Sequence, residues 1–423
     1  MINKNLALIL SSALVTTSLT AQTDIEKLQT EIDLLKTQSD ILAEELLDIS
    51  TGSFTKVDDS KAHNGLGAAA SKVYYSQSPL SIGGYGEMFW AKTEGSRSFV
   101  DVYRFIPYFG YKFSDTVILN TEIEFEHGGS QSVKLDGNSE SAVSGKILIE
   151  FMYLDFLLHK SANIRVGNLL VPMGITNLRH EPTLFPTVQR PTIEKLLIPS
   201  TWHENGVLVY GDIADTGIEY TTGIINALNI NNTSTKGGKE KWIRDGRLGS
   251  ANKAPFKPAF VGRLDYRGIN GLLTGGSLYV GDGSNQKDDI AGTTMTIFEV
   301  HAVYNYQGLS LKGLYTISML DGAEKYAEDA SEKASGYYVT ASYDVGTLIG
   351  SDFKTLIFAQ YENYNTREKL ANGGSKEATN IINFGANFFP TDQTVLKADY
   401  QIKDDKNKSD KVNTASLSLG FLF

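Results

Sequence analysis

From about residue 80 to the end of the chain, hydrophobic and polar residues alternate with a period of two. In the segment 99–113, for example, Tyr103, Phe105 and Phe109 fall on one side, and Arg104 and Lys112 fall on the other. Successive side chains of a β-strand point to opposite faces, so each such segment predicts a strand with one apolar and one polar face. The pattern predicts sixteen strands, near residues 81–91, 99–113, 116–127, 146–158, 162–169, 203–213, 216–228, 257–268, 271–281, 293–306, 308–319, 335–345, 353–364, 379–389, 393–403 and 411–423.

The lengths and connections of these segments are typical of a membrane barrel. Each segment has the ~10 residues that a tilted strand needs to cross a bilayer, and short and long connections alternate along the chain. Outer-membrane barrels have short periplasmic turns and long external loops. We therefore expect an all-β fold, a 16-stranded antiparallel transmembrane β-barrel over residues 80–423, in the Gram-negative outer membrane. An even number of strands places both of its ends in the periplasm.

The two faces of the predicted strands should meet different surroundings. A charged group that faces hydrocarbon costs about 2–4 kcal/mol near the bilayer midplane, so the apolar faces should contact outer-membrane lipid. The polar faces should then line a water-filled lumen. The charged residues expected on the lumen wall are Arg104, Glu122, Glu124, Glu126, Arg165, Arg263, Asp265, Arg267, Glu299 and His301.

The last segment, NTASLSLGFLF, ends on an aromatic residue. Leu417, Leu419, Phe421 and Phe423 fall on one face of an extended strand. A soluble domain usually leaves its last residues frayed and polar. Outer-membrane proteins typically end in an aromatic-terminated strand, which the barrel assembly machinery reads. We expect this strand to close the barrel and Phe423 to contact that machinery.

The residues before the barrel follow three other patterns. Residues 1–21 combine Lys4, the apolar run LALILSSALV and a small residue, Ala21, at the candidate cleavage site, which is typical of a secretory signal peptide. Residues 23–50 predict a periplasmic coiled-coil helix. Residues 51–79 are rich in Gly, Ser and Ala and predict a linker.

The coiled-coil prediction rests on a heptad spacing. A stripe this narrow buries too little surface to stabilise a single helix, so the helix should pair with copies of itself. The alternative is one helix that lies on the barrel. The positions of the stripe, spaced alternately by three and four, are Ile25, Leu28, Ile32, Leu35, Ser39, Leu42, Leu46 and Ile49.

One segment, residues 167–206, breaks the strand pattern. It holds five of the ten prolines and is too apolar to lie free in water. We expect its central part, a third loop of about residues 170–202, to fold into the barrel and narrow the pore. The alternatives are an extracellular lid and a contact between subunits. The charged candidates for the pore constriction are Arg179, His180, Arg190, Glu194, Lys195 and His203.

Composition and motifs narrow the function further. The chain has no cysteine, so no disulfide supports the fold, and its formal net charge of −10 argues against a nucleic-acid partner. Its six histidines show no HExxH or paired spacing, so we expect no metal, no cofactor and no enzymatic activity. Two alternatives to a channel stay open, an outer-membrane enzyme and a structural protein whose coiled coil tethers the envelope.

The order of several motifs resembles a known family. Gly167, Pro172 and Gly174 precede the long third loop, IPSTWHENG follows it, and YGEMFW opens the first strand, with Arg104 in the second and Phe423 at the end. This order, over residues 81–423, resembles the phosphate-selective porin O and P family and its general-porin relatives.

The resemblance implies a homotrimeric outer-membrane porin, a passive diffusion channel for small hydrophilic solutes or ions, with its third loop folded inward. Phosphate-selective members carry an arginine ladder and constriction lysines, whereas the inward charges here are mixed. Phosphate, another small anion and a general anion/cation channel therefore stay open as alternatives.

Overall fold

The computed structural model describes residues 27–40, 42, 57, 62–129, 132–134, 142–230, 242–249, 253, 255–284 and 290–423. The chain divides into two compact units, Met1–Phe54 and Thr55–Phe423. The predicted signal peptide, residues 1–21, lies outside the described residues, as does nearly all of 51–61.

In the first unit, residues 27–40 form an α-helix, α1, in the middle of the predicted coiled coil. The ends of the predicted coiled coil lie outside the described residues. Leu28, Ile32 and Leu35, which belong to the heptad stripe, are exposed in the single chain. Pairing of this helix with other helices stays a prediction. In the described part of the chain, no helix has both the length and the apolar character needed to cross a membrane.

The second unit is a closed antiparallel barrel of sixteen strands, as predicted. Neighbours in the chain are neighbours in the sheet, and the first strand pairs with the last. The barrel strands are β1 (Leu80–Thr93), β2 (Phe99–Lys112), β3 (Val117–Glu126), β6 (Lys146–His159), β7 (Ala162–Leu170), β8 (His203–Ile213), β9 (Ile218–Asn226), β10 (Pro258–Tyr266), β11 (Leu272–Asp282), β12 (Thr294–Tyr306), β13 (Leu309–Asp321), β14 (Ser331–Asp344), β15 (Lys354–Leu370), β16 (Thr379–Thr391), β17 (Thr394–Asp405) and β18 (Val412–Leu422).

A few shorter elements lie in the connections. β4 (Ser132–Lys134) and β5 (Ala142–Ser144) form a small separate hairpin between β3 and β6. The remaining helices are α2 (Ala68–Tyr75), α3 (Thr192–Leu196) and α4 (Gly346–Ile349).

The terminal strand closes the barrel. β18 pairs with β1 from Tyr85↔Leu422 to Thr93↔Thr414. Past the last paired residues, the backbone of Phe423 exchanges two hydrogen bonds with Gly84, of 2.9 and 3.0 Å. The aromatic carboxyl-terminal residue is thus hydrogen-bonded to the first strand, where the first and last strands close the barrel.

The faces of the strands are divided as the alternation predicted. Large apolar side chains, such as Phe105, Leu264 and Leu417, lie exposed on the outside of the barrel, whereas Arg104 and Glu122 on the other face are buried. Exposure of so many large apolar side chains to water would be unfavourable, whereas their contact with lipid is not. The outer surface of the barrel is therefore suited to contact lipid.

The two ends of the barrel differ in their connections. Turns such as 160–161, 214–217 and 307–308 join strands at one end, the short-turn end, where Leu80 and Leu422 also lie. The opposite, long-loop end carries the long connections 127–145 and 227–257. The connection 171–202, here called the inward loop, also starts and ends there. Antiparallel pairing places successive connections at alternate ends of the barrel, so the short turns collect at one end and the long loops at the other.

The linker prediction for residues 51–79 was wrong over its described part. α2 is buried against the lumen faces of β1, β2 and β3. A Cβ atom at Gly110 would lie 2.4 Å from the Val73 side chain, so a glycine in the wall allows the helix to approach closely. The small residues that suggested a linker instead allow the chain to pack inside the barrel.

Candidate functional site

The inward loop lies inside the barrel, bound to the wall at both of its ends and along its length. The backbone N–H of Gly174 donates to Glu299 on β12 at 3.3 Å, and its carbonyl oxygen accepts from Arg263 on β10. Farther along, the N–H of Ile193 donates to Glu362 on β15 at 3.0 Å. Charged lumen residues therefore act partly as anchors for loop backbone.

Glu194, which the sequence placed at the constriction, instead holds the loop together. Its buried carboxylate accepts hydrogen bonds from the N–H groups of Ile175 and Thr176, from the Thr176 hydroxyl and from the Tyr338 hydroxyl, at 2.6 to 2.9 Å. A carboxylate with this many donors fixes the two arms of the loop and β14 in one arrangement. Glu194 belongs to the loop predicted to form the constriction, but its oxygen atoms bind loop backbone and Tyr338, and it lines neither of the two cavities described below.

The middle of the loop is held by two lysines that the sequence analysis did not select. Nζ of Lys312 on β13 donates to the Leu184 carbonyl at 3.1 Å. Nζ of Lys397 on β17 donates to the carbonyls of Phe185 and Thr187, at 2.9 and 3.0 Å. Both lysines lie at lumen-facing positions of their strands, which the alternation predicts. Their contact with the inward loop is not visible in the sequence, because it depends on the path of the folded loop.

Two cavities lie on either side of this part of the loop. The cavity towards the short-turn end has a volume of about 510 Å³ and is lined by Leu184 and Phe185 of the loop and by β12 to β16. The cavity towards the long-loop end has a volume of about 840 Å³ and is lined by Thr192 and Lys195 of the loop and by β15 and β17. Residues 184–195 thus lie between the two cavities.

Basic side chains predominate around these cavities. The larger cavity carries five basic and two acidic residues: Lys195, Arg367, Lys376, Lys403, Lys408, Glu377 and Asp405. The smaller carries Lys312, Lys354 and Asp344. Arg179 and Lys312 share a neighbouring recess of about 130 Å³.

Lys195 and Arg190, both predicted at the constriction, lie in this part of the loop. Nζ of Lys195 donates to Gln189 at 3.3 Å. Burial, reinforced by the nearby Arg244 guanidinium, lowers the pKa of Lys195 to about 8. Arg190 is buried, with 8% of its surface exposed.

The rest of the lumen is filled in three layers. α2 lies towards the short-turn end, where the Tyr74 hydroxyl donates to Asp155 at 2.7 Å. The inward loop forms the middle layer. Residues 242–249 cover it towards the long-loop end, where Arg247 donates to the carbonyls of Pro199 and Thr201. The two cavities therefore lie to one side of the barrel, towards β12 to β17.

Most of the predicted lumen-wall charges face the lumen but are paired. Arg104 lies 2.8 Å from Glu87, Arg165 lies 2.8 Å from Asp155, and Arg263 lies 2.9 Å from Asp265. His301 bridges Asp265 and Glu299 at 3.0 Å each. The sequence analysis did not select Glu87 or Asp155. Each lies on the lumen face of a strand that pairs with the strand of its arginine partner.

Three predicted wall residues lie elsewhere on the lumen surface. Arg267 pairs with Glu219 at 3.0 Å beside a turn of the short-turn end, and Glu126 pairs with Lys146 at 3.1 Å at the long-loop end. Glu124 is buried on the lumen face of β3.

The two predicted constriction histidines are buried in the filled half. Nε2 of His180 lies 3.0 Å from Glu122 and 3.5 Å from Glu150, a residue that the sequence analysis did not select. His203 bonds Asn168 at 3.0 Å. Neither histidine lines one of the two cavities.

Comparison with known proteins agrees with this architecture. The sequence profile of the family described as phosphate-selective porin O and P matches residues 112–423. An uncharacterized protein of Aquifex aeolicus (strain VF5) is 33% identical over 368 residues, which cover 83% of this chain and 81% of the relative.

Solved barrels share the fold at much lower identity. OmpF of Salmonella typhi, in complex with daunomycin, has a TM-score of 0.55 at 12% identity over 81% of this chain and 97% of its own. The anion-selective porin from Comamonas acidovorans has a TM-score of 0.52 at 15% identity over 81% and 99%. The outer membrane channel DcaP of Acinetobacter baumannii has a TM-score of 0.52 at 12% identity over 81% and 97%.

At these identities the solved structures show the fold alone, whereas the family profile covers most of the chain. The chain therefore belongs to the phosphate-selective porin O and P family, whose members are outer-membrane channels and not enzymes.

Proposed function

We propose that this chain is a passive diffusion channel that prefers small anions, with residues 184–195 of the inward loop as its constriction. The observation that carries the proposal is the excess of basic over acidic side chains around the cavities on both sides of that segment. Narrow openings with low-dielectric walls concentrate ions of the opposite charge. An anion is therefore attracted at both entrances.

The distribution of lumen charge supports the same preference. The sequence predicted a mixed-charge constriction, because acidic and basic residues alternate on the lumen faces. In the folded chain Glu87, Asp155, Asp265 and Glu299 lie in the filled half, paired with Arg104, Arg165, Arg263 or His301. Paired charges contribute little net field at the cavities. Arg367 and Lys408 at the larger cavity also pair, with Asp329 and Asp405, so Lys195, Lys376 and Lys403 account for most of the excess positive charge there.

Phosphate and other small oxyanions are the candidate permeants. Lysine ammonium and arginine guanidinium groups are the side chains that bind phosphate oxygen atoms in proteins. A solved barrel with this fold is described as an anion-selective porin, which favours the proposal at the level of architecture.

A liposome-swelling assay tests the diffusion channel itself. Liposomes that contain the purified protein should swell in small hydrophilic solutes, at rates that fall as solute size rises. Swelling no faster than that of protein-free liposomes would contradict a channel. Net uptake of an anion requires a cation to enter with it, so the anion preference is tested by reversal potentials in a planar bilayer and not by swelling rates.

The proposal includes a homotrimer with periplasmic coiled coils. The exposed apolar stripe of α1, which a single chain leaves uncovered, supports pairing with other helices, and the family resemblance is the basis for three copies. The barrel assembly machinery, acting on the strand that ends at Phe423, is the proposed partner in insertion. The structural alternative assigns the coiled coil to tethering the envelope, and deletion of residues 24–49 separates the two. Normal conductance with a weakened envelope would favour the tether.

A further inference from the structure

A fully buried cluster of three potential metal ligands lies in the filled half of the barrel. Glu122 comes from β3, Glu150 from β6 and His180 from the inward loop. One ligand atom from each residue lies within 4.8 Å of the other two, and all three residues are buried. Nothing in the anion-channel proposal uses this cluster, since it lines neither cavity.

Three of the four carboxylate oxygen atoms of the cluster have no hydrogen-bond donor among the described residues. Both oxygen atoms of Glu150, and Oε2 of Glu122, accept no hydrogen bond from the described residues, although both side chains are fully buried. Arg247, which acts on Glu150 electrostatically, donates to the carbonyls of Pro199 and Thr201 instead. A buried carboxylate without donors is strongly disfavoured unless it binds a proton or a cation compensates it.

The histidine is oriented as a metal ligand usually is. Nδ1 of His180 lies 2.9 Å from the Asn177 carbonyl oxygen, so it carries a proton and donates to that oxygen. Nε2 consequently faces the carboxylates, 3.0 Å from Oε1 of Glu122 and 3.5 Å from Oε2 of Glu150. A backbone carbonyl that fixes the other ring nitrogen is the common outer-shell partner of metal-bound histidine.

A proton on Nε2 would satisfy the cluster only in part. One N–H can donate well to one carboxylate, here Glu122, and Glu150 would keep two oxygen atoms without a donor. A single ion would contact all three residues. Ligand atoms about 2.1 Å from a common ion lie roughly 3.0–3.5 Å apart, the spacing that Nε2 has from both carboxylates.

We propose that Glu122, Glu150 and His180 bind one divalent transition-metal ion of the Zn²⁺ class. One imidazole nitrogen with carboxylate oxygen atoms suits such ions, whereas Ca²⁺ and Mg²⁺ prefer oxygen ligands alone. The ion's two positive charges balance two carboxylates. The ion also joins two wall strands to the inward loop, so its role is structural: it fixes the loop against β3 and β6.

The test uses untagged protein, because a histidine tag binds the same ions. The full chain is unfolded in urea with EDTA and refolded into detergent with ZnCl₂ or with EDTA. After removal of free metal, elemental analysis measures bound zinc and circular dichroism measures the thermal unfolding midpoint. Glu150→Gln and His180→Gln remove one ligand each. Glu126→Gln, on the same face of β3 but outside the cluster, is the matched control.

Wild type and Glu126→Gln should retain about one zinc ion per chain and unfold at a higher temperature with zinc than with EDTA. Each ligand variant should bind zinc at least about tenfold more weakly. Co²⁺ in wild type should show visible absorption of a bound ion, a readout that holds even if a variant fails to refold. Zinc retention by wild type no greater than by the ligand variants, or full retention by both variants, would overturn the site. Channel conductance is measured separately, so the anion-channel proposal survives or fails on its own.

Discussion

Nζ of Lys397 lies 2.9 Å from the carbonyl oxygen of Phe185, so a lysine of the barrel wall holds the middle of the inward loop in place. The same ammonium group reaches the Thr187 carbonyl at 3.0 Å. An ammonium group in this position both anchors the loop and contributes positive charge beside the segment that separates the two cavities.

We expect Lys397→Gln to change the size of the opening as well as its charge. Without the ammonium donor, residues 185–187 lose two charge-assisted hydrogen bonds and should become mobile. Single-channel recordings should show noisier currents, frequent substates and a weaker anion preference. Lys403→Gln is the matched control, because Lys403 lies on the same face of β17 and lines the larger cavity without a described bond to the loop. Equal current noise in the two variants would show that Lys397 does not restrain the loop.

We expect Lys195 to make the proposed anion preference depend on pH. Its pKa of about 8 means that the side chain loses its positive charge as the pH rises through that value. The anion preference of the wild type should therefore fall between about pH 7 and pH 9. Lys195→Gln should show a weaker preference already at pH 7, and Lys195→Arg should retain more of its preference at pH 9, because arginine stays charged. Reversal potentials at several pH values measure this; identical pH profiles for wild type and Lys195→Arg would exclude the effect.

Glu194 should be important for stability rather than for ion selection. Glu194→Ala leaves the buried N–H groups of Ile175 and Thr176 and the Tyr338 hydroxyl without their acceptor. Each unsatisfied buried donor costs roughly 1–3 kcal/mol, so we expect the free energy of unfolding in urea to fall by about 3–5 kcal/mol. Glu377→Ala removes an exposed carboxylate at the larger cavity and should change it little. A loss below about 1 kcal/mol for Glu194→Ala would contradict the anchoring role.

Two neighbouring leucines of α1 provide a variant and its matched control for testing the trimer prediction. Leu35 lies on the heptad stripe and Leu34 lies next to it, and the two are similarly exposed in the single chain, at 63% and 59%. Leu35→Asp should weaken the trimer, because a buried charge at a core position disrupts a coiled coil, whereas Leu34→Asp should leave it intact. Native gel migration and light scattering measure the oligomer. Dissociation by both variants, or by neither, would contradict pairing through this stripe.

The barrel was predictable because its pattern is local. Period-two alternation gave the strands and their faces, and Phe105 and Glu122 lie outside and inside as expected. The pattern failed where strands extend beyond the apolar belt. β14 and β15 extend to Ser331 and Leu370 as a polar two-stranded segment, with Lys333 2.6 Å from Glu368, where no apolar face marks a strand.

The site was less predictable because it depends on contacts distant in sequence. AAASKVYY has no apolar stripe of its own, and its packing depends on partners distant in sequence, such as Gly110, which leaves room for Val73, and Asn120, which donates to the Ala70 carbonyl. The sequence pointed to the charged residues of the inward loop as constriction candidates, but it could not distinguish Glu194, which bonds loop backbone, from Lys195, which lines a cavity. That distinction arises from the path of the loop.

The reversal potential of the wild-type channel tests the central claim most directly. Purified protein in a planar bilayer, under a KCl concentration gradient, measures the ratio of Cl⁻ to K⁺ permeability, since the two ions move almost equally well in water. We predict stepwise channel openings and a reversal potential displaced towards the equilibrium potential of Cl⁻. A reversal potential displaced towards that of K⁺, or an absence of channel openings, would contradict an anion-preferring porin.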